Sequence, residues 1–221
     1  MKKCKFITII LLLLTGFTFA QQIIGFGGLG GYIDTGFEKS GYYSINGGLG
    51  YSFNTFLKPE VKLEYFGGVI PDIGLEYNSN NDYTKFLNRT VSAFTITFSP
   101  TVSFGANDAT VHFQIIPMYN YTQSYAKGSV LTLNSDKTFF VKTDEDSNKA
   151  IRHSLGVGIA LLLDVNDDTF QAIAVEINYN NIEISDALSG LKFDKSVPFT
   201  NQSLGMRIKY YFGITKKKRK K

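Results

Sequence analysis

Residues 203–221 read SLGMRIKYYFGITKKKRKK. Leu204, Met206, Ile208, Tyr210 and Phe212 take alternate positions, and Ser203, Gly205, Arg207 and Lys209 lie between them. A period of two is the mark of a strand whose successive side chains point to opposite faces. One face of this strand is large and greasy, and the other is small or charged. The chain then enters six consecutive bases, Lys216 to Lys221. Whichever face looks inward decides the fold.

The same period recurs along the chain. Ile45, Leu49, Tyr51 and Phe53 are set against Ser44, Asn46, Ser52 and Asn54. Phe94, Ile96, Phe98, Pro100, Val102 and Phe104 alternate with hydroxyl residues, and Val111, Phe113, Ile115, Pro117, Tyr119 and Tyr121 oppose His112, Gln114 and Asn120. Leu155 to Leu163 and Ile173 to Tyr179 repeat the pattern. A shorter series at Val61, Leu63 and Tyr65 and a Gly-rich opening from Ile23 to Tyr32 bring the number of strands to eight. Several reach the roughly 9 to 11 residues that an oblique membrane crossing needs, against five or six in soluble sheets.

Connections alternate in length. Asn54 to Pro59, Gly105 to Ala109 and Val165 to Asp168 read as tight turns. Gly67 to Arg89, Thr122 to Ala150 and Asn180 to Thr200 read as long polar loops, with Asp34 to Ser40 a shorter one of the same kind. Short turns at one end and long loops at the other are the habit of transmembrane barrels, and an even strand number returns both termini to the periplasm. Within the second long loop, SVLTLNSDKTFFVKT (residues 129–143) predicts a hairpin rising above the barrel on an Asn-Ser-Asp turn. If its arms crossed the membrane the barrel would have ten strands. The expected fold is all-β: a single up-and-down antiparallel transmembrane β-barrel of eight strands, with ten as the alternative.

The start of the chain reads as an export leader. Lys2, Lys3 and Lys5 precede an apolar run from Phe6 to Leu14, with Thr18 and Ala20 at the positions a signal peptidase needs. The domain organisation expected is a cleaved signal peptide at 1–20, a barrel at 21–213 and a basic periplasmic tail at 214–221. Cys4 is the only cysteine and lies in the leader, so the expected mature chain has no disulfide or thiolate ligand. Removing the three leader lysines from 23 bases leaves 20 against 19 acids, and setting aside the six of the tail leaves 14. The body is mildly acidic, so a nucleic-acid partner is not expected.

The whole expected mature chain resembles the small outer-membrane β-barrel proteins of Gram-negative bacteria, the group with the OmpA-type transmembrane domain and the PorT-like outer membrane β-barrel domain. Ser203, Gly205, Ile208, Tyr210 and Phe212 look like that group's terminal assembly signal, a polar residue, a glycine and alternating large apolar residues. The resemblance implies that the barrel assembly machinery is a partner and that the protein lies in the cell outer membrane with lipid and lipopolysaccharide around it. Many relatives end on the aromatic, whereas this chain continues for nine residues beyond Phe212.

A narrow barrel suits small residues inside and large ones outside. Lys62, Glu64, His112, Glu176, Arg207 and Lys209 are then expected to point into the lumen, where charges are costly unless paired. Glu176 and Arg207 are the expected pair. Tyr32, Tyr43, Tyr51, Tyr119, Tyr121, Tyr179, Tyr210, Tyr211 and Phe212 are expected to form interfacial girdles.

Other motifs read as structure. Gly25, Gly27 and Gly30 satisfy GxGxxG but lack the strand-then-helix context of a dinucleotide site, and are expected to let the strand bend. His153 and Ser154 resemble the pair of lipid A deacylases, yet neighbours on a strand face opposite ways, out of hydrogen-bond reach. Asp144, Glu145 and Asp146 read as a solvated acidic run, and two histidines make no zinc set. The expectation is a monomeric non-enzyme without cofactor, metal or catalytic residue. It would have a plugged lumen and loops for binding, adhesion or envelope structure, an extracellular ligand being their partner. The basic tail would meet anionic lipid or cell wall. Three alternatives stand beside it: a narrow porin-like pore for small solutes, a lipid-modifying enzyme, and a secreted soluble lipocalin-like barrel.

Overall fold

A computed structural model describes residues 22–34, 41–52, 56–105, 109–166, 171–180, 184–192 and 203–214. The leader and the Lys216 to Lys221 tail lie outside the described residues. Eight antiparallel strands follow one another around a closed ring: β1 Gln22–Asp34, β2 Gly41–Ser52, β3 Leu57–Tyr77, β4 Tyr83–Phe104, β5 Val111–Leu133, β6 Phe140–Asn166, β7 Gln171–Asn180 and β8 Ser203–Gly213. The ring is closed by β1 against β8, from Ile24 opposite Gly213 to Asp34 opposite Ser203. Closure removes the free sheet edges that an open sheet would leave. The eight-stranded expectation holds and the ten-stranded alternative falls, because the 129–143 hairpin continues β5 and β6 upward instead of adding strands.

Two of the expected long loops are corrected. Residues 67–89 and 122–150 are mostly strand, leaving links of only 78–82 and 134–139. The pattern misleads there because the outward face turns polar above the apolar belt, while an inward face of Leu87, Val91, Ala126 and Val130 stays buried. Pro59 is likewise no turn residue but lies in β3 opposite Pro100 of β4. In the β7–β8 connection a short helix, α1 (Ser185–Ser189), forms where no helix was expected.

The two faces of the wall have opposite polarity. Leu155 is 74% exposed and Leu29 66%, whereas Arg207 is 1% exposed and Glu176 0%. On β6 the outward series runs from Leu155 through Val157, Ile159, Leu161 and Leu163 to Val165. Ten residues at a usual barrel tilt rise about 25 Å, the height of a hydrocarbon-facing band. Tyr32 and Tyr211, expected in the girdles, are buried inside instead. Parity explains the correction, since Tyr32 shares a face with Gly30 and Tyr211 shares one with Arg207 and Lys209.

Candidate functional site: a charged layer across the lumen

The strands place Glu60, Lys62 and Glu64 of β3, Glu176 of β7 and Arg207 and Lys209 of β8 on the inner face, all buried. Glu176 and Arg207 are directly opposed across the β7–β8 ladder. The Arg207 guanidinium lies 3.1 Å from a carboxylate oxygen of Glu176 and 3.1 Å from one of Glu64. Lys209 lies 2.9 Å from Glu176 and 3.2 Å from Glu60, and Lys62 lies 2.7 Å from Glu64. Tyr32 accepts from Arg207 and donates to Glu64 at 3.1 Å, while Tyr211 donates to Glu60 at 2.9 Å. Three acids therefore face three bases, so the layer as a whole is close to neutral.

Contacts from β8 to β3 must pass over β1 and β2, and the residues beneath make this possible. Gly28 lies opposite Lys209 on one side and Asn46 on the other, and a Cβ there would approach Asn46 Oδ1 to 3.1 Å and strike the Ile208 carbonyl. A side chain at Gly28 would therefore crowd the β8 backbone and the Asn46 amide. Of the GxGxxG glycines, Gly25 lies under the Phe212 ring and Gly30 faces Ser44 Oγ. Their role in the structure is to give room to neighbours.

The rest of the lumen is layered. Opposite the charges, Thr95 and Thr122 hydroxyls are 3.0 Å apart and Thr97 donates to Asn120 at 2.8 Å. Toward the short-turn end Ile24, Phe26, Leu162 and Tyr211 form an apolar cluster. Toward the long-hairpin end Tyr32, Phe66, Ile70, Val91, Leu188 and Leu191 form another, closed above by α1. The segment carrying α1 is tied to the β6 arm: Asn148 donates to the Ala187 carbonyl at 3.0 Å, and Arg152 meets Asp186 at 2.8 Å. The Lys192 amide donates to Asp146 at 2.8 Å.

Five of the six expected lumen residues thus share one layer. His112 is apart, 3.2 Å from Asp164 near the short turns. Glu60, Tyr32, Tyr211 and Asp164 were missed, although the parity of each strand assigns all four to the inner face. His153 is exposed and hydrogen-bonded to the Tyr119 hydroxyl at 2.7 Å, while Ser154 is buried on the other face. Ser203 and Gly205 point inward, Gly205 beneath the Tyr32 ring, and Ile208, Tyr210 and Phe212 point outward. Asp144 and Asp146 cap following backbone amides with their own carboxylates, and Glu145 pairs with Lys127 at 2.6 Å. Among the described residues no group of three or more His, Cys, Asp or Glu side chains is placed to hold a metal.

Fold and site together define a closed eight-stranded barrel with an apolar exterior and a paired-charge interior. No family model matches the chain, and no curated protein is similar to it in sequence. Among solved structures it is similar to Neisserial surface protein A, with 9% identity over 87% of this chain and 96% of that one and a TM-score of 0.47. It is also similar to a major outer membrane protein from Thermus thermophilus, with 8% identity, 87% and 99% coverage and a TM-score of 0.48. A third is Ail, the attachment invasion locus protein of Yersinia pestis, with 12% identity, 88% and 97% coverage and a TM-score of 0.42. At identities and scores this low none of them carries the functional argument, which rests on the barrel's own side chains.

Proposed function

We propose that the chain is an outer-membrane β-barrel protein with a plugged lumen, acting at the cell surface through its long hairpins in binding, adhesion or envelope structure. The observation that carries this is the opposed polarity of the wall: exposed large aliphatic and aromatic side chains outside, fully buried ion pairs inside. Such an exterior is stable in hydrocarbon, and closed hydrogen bonding around the ring leaves no backbone edge unsatisfied there. It is the reverse of a soluble lipocalin-like barrel, which would hold the large residues within.

The layer of three acids and three bases, with an apolar cluster on each side, supports a plug over a porin-like pore. A solute would have to break several buried ion pairs to pass, and an eight-stranded ring leaves little room beyond its side chains. The divergence of His153 and Ser154 speaks against the lipid-modifying alternative. In this reading the short turns and both termini are periplasmic, the Lys216 to Lys221 tail meets anionic lipid or cell wall there, and Ser203, Gly205, Ile208, Tyr210 and Phe212 are read by the assembly machinery.

The test is fractionation of expressing cells followed by gel electrophoresis with and without boiling. A heat-modifiable band in the outer membrane is expected. A mature chain that is monomeric in buffer without detergent overturns the proposal. Planar-bilayer recording separates plug from pore: no steady conductance is expected of the unaltered protein, and a conductance that changes with Arg207→Ala establishes the pore.

A further inference from the structure

On the outer wall of β3 to β6 an open groove of about 600 Å³ lies where the apolar belt ends and the tall hairpins begin. It is lined by the rings of Tyr65, Phe94 and Tyr125 and by the polar side chains of Ser92, Gln123 and Lys149. Strand pairing fixes this arrangement. Tyr65, Phe94 and Gln123 lie side by side in one row across β3, β4 and β5, and Ser92, Tyr125 and Lys149 form the next row toward the hairpin tips. Below the groove the exposed column Phe94, Ile96, Phe98 continues down β4 into the belt.

The charge in the groove is uncommitted. Lys149 stands 6.0 Å from the centre of the Tyr125 ring and has no carboxylate within ion-pairing distance among the described residues. Just above, Lys127 and Lys142 both pair with Glu145, and Asp144 caps the Glu145 amide, so neither acid pairs with Lys149. Asp146, the nearest further acid on β6, is engaged on the inner side by the Lys192 amide. A cation and a hydroxyl in the upper row, and an amide beside the Tyr65 and Phe94 rings that run into a lipid-facing column, match an amphiphile with an anionic head and acyl chains.

We propose that this groove seats the phosphate of an outer-leaflet lipid, with the phosphate at Lys149, Ser92 and Gln123 and the chains against Phe94 and the column below it. The proposal rests on the outer-membrane reading above, with the tall hairpins outside. Charge complementarity gives the head its place, and continuity with the belt gives the chains theirs. A lysine near an anionic lipid surface contributes about 1 kcal/mol, which corresponds to about fivefold in affinity.

The experiment is native mass spectrometry of the mature chain in detergent, titrated separately with diphosphoryl lipid A, its dephosphorylated form and inorganic phosphate. One diphosphoryl lipid per barrel is expected to be retained in preference to the dephosphorylated form. Lys149→Gln is expected to weaken it about fivefold, Lys149→Arg to keep it, and Lys85→Gln, seven residues above Ser92 on β4 and already paired with Glu76, to leave it unchanged. Equal retention of the two lipids, or a Lys149→Gln variant that binds like the parent, overturns the site. Saturation by inorganic phosphate with no preference for the phosphorylated lipid identifies a free-anion site and overturns the lipid assignment. Heat-modifiability of each variant reports folding separately, and water solubility without detergent would remove the membrane reading itself.

Discussion

Arg207 is the residue on which the interior turns. Its guanidinium joins two carboxylates from different strands, Glu64 and Glu176, and a tyrosine hydroxyl, all out of contact with water. Removing one partner of a buried pair leaves an uncompensated charge, which costs roughly 3 to 5 kcal/mol. Arg207→Ala is therefore expected to lower stability by that amount, read as the urea midpoint of the heat-modifiable form. Adding Glu176→Gln to it is expected to recover part of the loss, because two acids then face two bases, Glu64 with Lys62 and Glu60 with Lys209. A single variant as stable as the parent would mean that water already reaches the layer. Gly205 presents the opposite problem, too little space: the Tyr32 ring rests where its side chain would be. Gly205→Val is expected to cost about 1 to 3 kcal/mol through overpacking, and a shared urea midpoint with the parent would show that the ring moves aside freely.

At the scale of elements, α1 is five residues long, far below the roughly 12 to 15 at which an isolated helix becomes stable in water. It holds its shape through Leu188 and Leu191 against the inner faces of β4 to β6 and through the ties to Asn148, Arg152 and Asp146. Leu188→Ala is expected to cost about 2 to 5 kcal/mol at this fully buried site. Faster amide exchange is expected in residues 184–192 and not in the ion-paired layer below. The Lys192 amide, and after it the Ser147 amide, holds the Asp146 carboxyl below the usual carboxylate range. A carboxylate with a lowered folded value stabilises docking above its unfolded value, near 3.9 for aspartate, and that contribution is lost as pH falls through the folded value. Protection of the 184–192 amides, measured against their intrinsic exchange rate at each pH, is accordingly expected to fall in acid below that point. Asp146→Asn is expected to remove the pH dependence, and an unchanged acid response in that variant would assign it to another group.

For the whole molecule, strand pairing decides what is reachable from outside. Lys127, Lys142 and Lys149 lie within the paired β5 and β6 arms, whereas Lys137 lies in the link between them. Trypsin applied to intact cells is expected to cut first after Lys137, mapped by mass spectrometry of the released or nicked chain. Primary cleavage at Lys127 or Lys149 would show that the arms are not the continuous strands described. Cleavage only in lysed cells would place the hairpins on the inner side.

Much of this architecture was legible along the chain. The period of two, carried by Ser203 to Phe212 and its repeats, determined strands, their number and the face on which each residue sits, because pleating forces alternate side chains apart. Polarity and side-chain size then determined which face is the interior. Parity alone places even Tyr32, Glu60 and Tyr211 inside, where their aromatic or turn-adjacent character suggested otherwise. Only the tertiary structure decided that charges from β8 cross two glycine-bearing strands to reach β3, that 67–89 and 122–150 stay paired above the belt, and that a five-residue helix closes the mouth. Each of these depends on neighbours distant in sequence: on the register between strands, on the space left where a Cβ is missing, and on apolar surface that a short segment finds only once the ring has closed.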